Sequence, residues 1–178
     1  AGMIVLGKTH TVEFAMGSFG TNQHMGSPKN PWDLEDHRAT GGSSAGTAAA
    51  VAAGLSSWGI GTDTGGSVRI PSAWCGLTGL KTSVGRISTH GILPLSHTLD
   101  TPGPMCRSVE DAAILYRILA GPDEQDSRTV IHSVEDPFPE LKKGISCFKL
   151  ARVSDSELEN VDSENLEAYE NSLKQLEK

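Results

Sequence analysis

Two serines sit among glycines in a way that suits acyl-transfer chemistry. The first segment is Gly41-Gly42-Ser43-Ser44-Ala45-Gly46-Thr47. The second is Gly61-Thr62-Asp63-Thr64-Gly65-Gly66-Ser67-Val68-Arg69-Ile70-Pro71. A serine hydroxyl becomes a useful nucleophile only when a base takes its proton. The tetrahedral intermediate that follows carries an oxyanion, which backbone N–H groups can stabilise when they are aimed at it. Glycines let the backbone curl so that successive N–H groups converge. Thr64, Gly65, Gly66 and Ser67 form a candidate row of such donors, with Ser67 as candidate nucleophile.

Other uses of the same residues compete. Gly-Gly-Ser occurs in plain loops, and a glycine-rich turn before a helix can hold a phosphate. No Gly-Lys-Ser/Thr follows here and no Gly-x-Gly-x-x-Gly is present, which disfavours a phosphate loop. Gly42-Ser43-Ser44-Ala45-Gly46 also fits Gly-x-Ser-x-Gly, which would make Ser44 the nucleophile of a strand-to-helix elbow. The preceding residues 33–40 are polar and unlike a strand, which speaks against that elbow. Residue types alone also permit a Ser67–His97–Asp100 triad.

The elements that must position these residues are partly visible. Met3–Leu6 is a continuous apolar run, expected to form a buried strand. Residues 17–44 are rich in Gly, Asn, Pro and Ser and read as loop. Thr47–Ala53 is alanine-rich and expected to be a helix ended by Gly54. Leu55–Ile60 is expected to be a second short strand, running directly into the glycine loop. Ser108 followed by Asp111 caps a predicted helix, with Val109, Ala112, Tyr116 and Leu119 on its inner face and Gly121-Pro122 at its end. Leu166, Tyr169, Leu173 and Leu176 make a later amphipathic stripe suited to packing.

Composition narrows the function classes. The 178 residues suffice for one core, and 37% are hydrophobic. No apolar run approaches the ~20 residues of a membrane span. The net charge of −7 arises wholly from residues 122–178, with fourteen acids against seven bases, whereas residues 1–121 balance at eight and eight. That distribution offers no basic surface for nucleic acid. Cys75, Cys106 and Cys147 lack metal spacing and an even count, so a reducing, cytoplasmic setting is expected, with Cys75 and Cys106 buried. None of the six histidines pairs with another residue at metal-ligand spacing. No cofactor is expected.

Together the two serine motifs resemble the amidase signature family. The similarity runs from Gly7-Lys8-Thr9 through Glu13-Phe14-Ala15-Met16-Gly17, Asn30-Pro31-Trp32-Asp33 and Gly41-Gly42-Ser43-Ser44. It continues through Gly61–Pro71, Cys75-Gly76 and Gly79-Leu80-Lys81. It then reaches Gly103-Pro104 and Ser108-Val109-Glu110-Asp111-Ala112. The separation of 24 residues between Ser43 and Ser67 also fits.

The resemblance implies a Ser–Ser–Lys mechanism on a small-molecule amide. Ser67 would form the acyl-enzyme, and Ser43, held by a cis peptide, would relay its proton. Thr64 to Ser67 would form the oxyanion hole, and Asp63 and Arg69 would brace the loop. It also argues against the histidine triad. The implied fold is α/β, a mixed twisted sheet flanked by helices. The 178 residues would be part of that domain, with a signature core over about 1–121 and an acidic helical continuation over 122–178.

Two departures stand out. Ala45 and Thr47 replace a glycine and a serine, changes expected to be tolerated because both are small. The family's catalytic lysine lies upstream of the Gly-Lys-Thr segment, so neither Lys8 nor Lys81 matches it. The sequence is therefore expected to be an internal fragment, inactive alone. Three functional readings follow: a free amidase, favoured by Ile70 after Ser-x-Arg; the glutamine-hydrolysing A subunit of a tRNA-dependent amidotransferase; or a non-catalytic truncated module. The sequence leaves the oligomeric state open.

Overall fold

Alternation along one strand organises the molecule. In the computed structural model, which describes residues 2–129, 133–134 and 136–177, β1 (Trp58–Asp63), β2 (Thr78–Gly79) and β3 (Thr101–Cys106) form a sheet. Their order is β1-β3-β2 and both pairings are antiparallel. Successive strand side chains face opposite sides. Met105 joins Ala48, Val68 and Cys75 in one buried cluster. Cys106 joins Ala112 and Leu115 in another, packed by Met3, Trp58, Leu80 and Leu119. Helices α1 (Ala45–Ala52) and α2 (Arg69–Trp74) thus serve one side, and α3 (Val109–Leu119) the other. The expected α/β layering holds.

All six residues of β3 are buried, although two are prolines. Proline removes a ladder donor and is rare in a central strand. The geometry here avoids that loss. Leu80 donates its N–H to the Pro104 carbonyl at 3.0 Å, so the Pro104 backbone groups face the β2 side. On that side β2 pairs only with Met105 and Cys106, and no ladder donor is required of Pro102 or Pro104. The sequence signal for this strand is correspondingly weak.

Glycines let α1 lie close on β1. A Cβ at Gly61 would stand 2.5 Å from Ser44 Oγ, and one at Gly59 would stand 2.5 Å from Thr47 Cγ2. Larger residues at these positions would lift the helix off the strand and carry Ser43 with it.

Other expectations shift in detail. The alanine-rich helix starts two residues early, at Ala45. The second strand begins at Trp58 rather than Leu55, which is 80% exposed. Ser108 caps α3 as expected, accepting the Asp111 N–H at 3.1 Å. Its buried face is Ala112, Ala113 and Leu115, however, and Val109 is exposed. The expected strand at Met3–Leu6 is not formed. Ile4, Val5 and Leu6 are 82–83% exposed. A strand exists only within a ladder, and among the described residues none pairs with this run.

The chain divides into two compact units, residues 1–142 and 143–178. The first extends past the change in charge at residue 121 because its last loop is tied back. Asp126 accepts the Thr89 N–H at 2.9 Å, and Asp123 accepts from Ser88 Oγ at 2.6 Å. The second unit holds α4 (Asp155–Leu158) and α5 (Ser163–Leu176). Asp162 caps α5 by accepting the Asn165 N–H at 3.0 Å. Leu166, Tyr169 and Leu173 form the half-buried stripe, while Leu176 is 49% exposed.

Candidate active site

Ser43 lies in the most deeply buried part of the chain, residues 40–48. Its carbonyl accepts the Val12 N–H and the Thr11 hydroxyl, each at 3.0 Å. The Gly42–Ser43 peptide is cis. A Cβ on Gly42 would meet Gly17 O at 2.6 Å and Gly20 N at 2.8 Å, so only glycine fits before Ser43. Ser43 itself is 0% exposed, and its hydroxyl has no hydrogen-bond partner among the described residues. Most buried hydroxyls are paired. The Ser72 and Thr82 hydroxyls and His10 Nδ1 are likewise buried without a partner among the described residues.

Ser67 is brought beside this segment. Ser44 donates its N–H to the Ser67 carbonyl at 3.3 Å, which joins the two motifs through the backbone. Ser67 is half-buried and Gly65 is exposed, so the loop is reachable from solvent. Gly66 has φ +133°, which favours glycine, and a Cβ there would stand 2.7 Å from Ile70 Cδ1, the movable end of that side chain.

Asp63 holds the loop from within. Its carboxylate is fully buried and accepts the N–H groups of Gly66 (2.8 Å), Val68 (3.1 Å) and Arg69 (3.3 Å). It also takes the Arg69 guanidinium, with Nε at 3.1 Å and Nη2 at 3.0 Å. Burial alone would raise the Asp63 pKa, but the Arg69 side chain and the three N–H groups outweigh it and hold it below the ordinary carboxylate value. Asp63 and Arg69 thus occupy bracing positions. Gly66 commits its N–H to Asp63, so of the four donors suggested by the sequence it shapes the loop rather than facing an oxyanion.

The rival nucleophiles are not assembled. The Ser44 hydroxyl is tied to β1, accepting from Thr62 N at 3.2 Å and donating to Thr62 O at 3.3 Å. Asp100 does not orient His97. Its oxygens accept from Thr64 Oγ1 (2.5 Å), Leu95 N (2.8 Å) and Ser96 N (3.0 Å), and His97 is exposed. Burial pushes the Cys75 and Cys106 thiols up to about 11, which leaves them protonated at neutral pH. Lys8 is exposed, and Lys81 Nζ donates to the Thr82 carbonyl at 2.6 Å. The sequence points to Asp100 only as a triad member. Its place before a buried strand is the signal for its actual contacts.

Among the described residues, no group of three or more His, Cys, Asp or Glu could hold a metal ion, and no helix is long and apolar enough to cross a membrane.

Comparison with known proteins bears on the family and the fold. The sequence model of the amidase family matches residues 1–178. The A subunit of a glutamyl-tRNA(Gln) amidotransferase from Coxiella burnetii is 46% identical over the whole chain, which spans 36% of that relative's length. The crystal structure of the corresponding A subunit from Thermotoga maritima superposes with a TM-score of 0.90 at 41% identity. That match covers 98% of this chain and 38% of the other. A native peptide amidase from Stenotrophomonas maltophilia superposes with a TM-score of 0.68 at 42% identity, covering 74% of this chain and 28% of the other.

Proposed function

Because the chain belongs to the amidase family, we propose that Ser67 attacks the carbonyl carbon of a carboxamide and that Ser43 relays the proton Ser67 gives up. The observation that carries this reading is the meeting of the two motifs: the Ser44 N–H donates to the Ser67 carbonyl at 3.3 Å, and the adjacent Ser43 hydroxyl is fully buried without a partner among the described residues.

Ser67 Oγ bonds to the amide carbon, the carbonyl π electrons move to oxygen, and the proton passes through Ser43 Oγ to a base. The N–H groups of Thr64, Gly65 and Ser67 meet the oxyanion. Losing one such donor costs about 3–4 kcal/mol. Collapse expels the nitrogen, which takes back the proton, and leaves an ester on Ser67. Water then attacks the ester by the same route in reverse. The family resemblance implies that this base is a lysine, matched by neither Lys8 nor Lys81; Lys8 is exposed, and Lys81 gives one N–H to the Thr82 carbonyl.

Glutamine is the substrate class this reading favours, as in the A subunit of a tRNA-dependent amidotransferase. The support is coverage: both amidotransferase relatives match essentially the whole chain, the peptide amidase 74% of it. Likeness to one component of a named multi-chain enzyme supports assembly with other chains as well. The free cysteines suit a reducing, cytoplasmic setting. Ile70 favours a second reading, a free amidase.

The test uses a polypeptide of the relatives' full length that carries this chain. Glutamine hydrolysis should exceed that of a simple carboxamide. Ser67→Ala should abolish both, and Ser43→Ala should lower both by about 10²–10⁴-fold. Full activity in Ser67→Ala would overturn the proposal, and preference for the carboxamide would select the free amidase.

A further inference from the structure

Two carboxylates, not one, hold the glycine loop. Asp63 grips it from the Gly66 side. On the other side the only side-chain anchor among the described residues is the Thr64 hydroxyl, which donates to Asp100 Oδ1 at 2.5 Å. Asp100 is 6% exposed, and its other oxygen accepts the N–H groups of Leu95 and Ser96. It stands next to Thr101, which pairs with Asp63 across the sheet and donates its hydroxyl to the Asp63 carbonyl at 2.9 Å. Asp100 is therefore registered to the loop by the β1–β3 ladder.

The segment carrying Asp100 is long and without regular structure, yet it is pinned elsewhere. Asp126 accepts from Thr89 N and Oγ1 at 2.9 and 2.8 Å, and Arg128 Nη1 donates to the His97 carbonyl at 2.7 Å. Arg128 is held in turn by Asp126, with Nε to Oδ1 at 2.9 Å. Residues 89–100 thus run from one buried carboxylate to another and end on Thr64.

We propose that Asp100 is a positioning residue for amide hydrolysis: through Thr64 it sets the direction of the Thr64 and Gly65 N–H groups, and the Asp126–Arg128 pair holds the 89–100 segment in register for that task. The proposal rests on Ser67 being the nucleophile. Donors aimed at an oxyanion act on the transition state and not on bound substrate. A misdirected loop therefore lowers kcat and leaves KM nearly unchanged.

The experiment measures kcat and KM for glutamine in the full-length polypeptide, with thermal unfolding alongside. Thr64→Val keeps the shape and removes the hydroxyl, while Thr64→Ser restores it. Thr64→Val should lower kcat by about ten- to a hundredfold with KM unchanged, and Thr64→Ser should regain most of it. Asp100→Asn should lower kcat alike, and the double variant Asp100→Asn/Thr64→Val should fall no further than the worse single one, because the two act as one unit. Wild-type kcat in Thr64→Val, or additive losses in the double variant, would overturn the proposal. Thr64→Val decides the matter even where Asp100→Asn fails to fold. Activity surviving Ser67→Ala would instead remove the nucleophile on which the proposal rests, a distinct outcome.

Discussion

Residues 40–48 and residues 3–6 behave oppositely to their composition. The first stretch, Thr-Gly-Gly-Ser-Ser-Ala-Gly-Thr-Ala, is buried at every position. The second contains Ile4, Val5 and Leu6, all above four-fifths exposed. Apolar character supplies a drive to leave water but no partner. Small polar residues can be buried when each finds a hydrogen bond and the backbone can come close. Around 40–48 both conditions hold for most groups. Thr47 Oγ1 shares a 2.6 Å bond with Thr9 Oγ1, Ser44 Oγ is tied to Thr62, and Gly42 and Gly46 leave no room for a side chain. In this chain, satisfied polar groups at close approach bury residues 40–48 where hydrophobicity alone fails to bury residues 4–6, and within that stretch the Ser43 hydroxyl is the exception among the described residues.

That contrast can be broken in graded ways. The largest effect should come from Asp63→Ala, which strands three N–H groups and the Arg69 guanidinium. Leaving buried donors unsatisfied costs about 1–3 kcal/mol each, so a loss of about 3 kcal/mol is expected in urea unfolding, and an unchanged midpoint would contradict the account. Next comes Gly61→Val, which collides with Ser44 Oγ and Met105 Sδ. Overpacking of this kind costs about 1–3 kcal/mol and should appear as a lower Tm.

A titration gives the third effect. Asp63 and Asp126 are both held below the ordinary carboxylate pKa. Burial would raise each, but hydrogen bonds from Arg69 and from Thr89 and Arg128 outweigh it. The unfolded chain therefore binds protons that the folded chain refuses. Their stabilisation is complete above about pH 5 and is lost as pH falls below about 4. Urea midpoints measured between pH 7 and pH 3 should fall steeply in wild type and less steeply in Asp63→Asn. The smallest effect should come from Leu6→Ser, an exposed position, within about 0.5 kcal/mol of wild type. A loss above that would mean the run is buried in solution.

The same contrast explains what is legible in the sequence. The Ser108 cap, the alanine-rich helix and the two serine motifs are local signals, and the structure carries them. The strand Thr101–Cys106 is hidden, because Pro102 and Pro104 speak against a central strand until the short reach of β2 is known. Met3–Leu6 misleads for the converse reason: periodicity reports a tendency, and pairing depends on a neighbour distant in sequence. The inner face of α3 moves from Val109 to Ala112 and Leu115 because the facing residues, Cys106 and Leu80, come from two other segments. Of the site, the residue types and spacing are readable. The commitment of the Gly66 N–H to Asp63 and of Asp100 to Thr64 depends on tertiary contacts that no spacing reveals.

In the proposed mechanism Ser67, and not its better-buried neighbours, carries the reactive hydroxyl. A fluorophosphonate reacted with the full-length polypeptide, followed by peptide mass spectrometry, tests it most directly. A single adduct on Ser67 is expected, greatly slowed in Ser43→Ala. An adduct on Ser44, or labelling undiminished in Ser67→Ala, would contradict it.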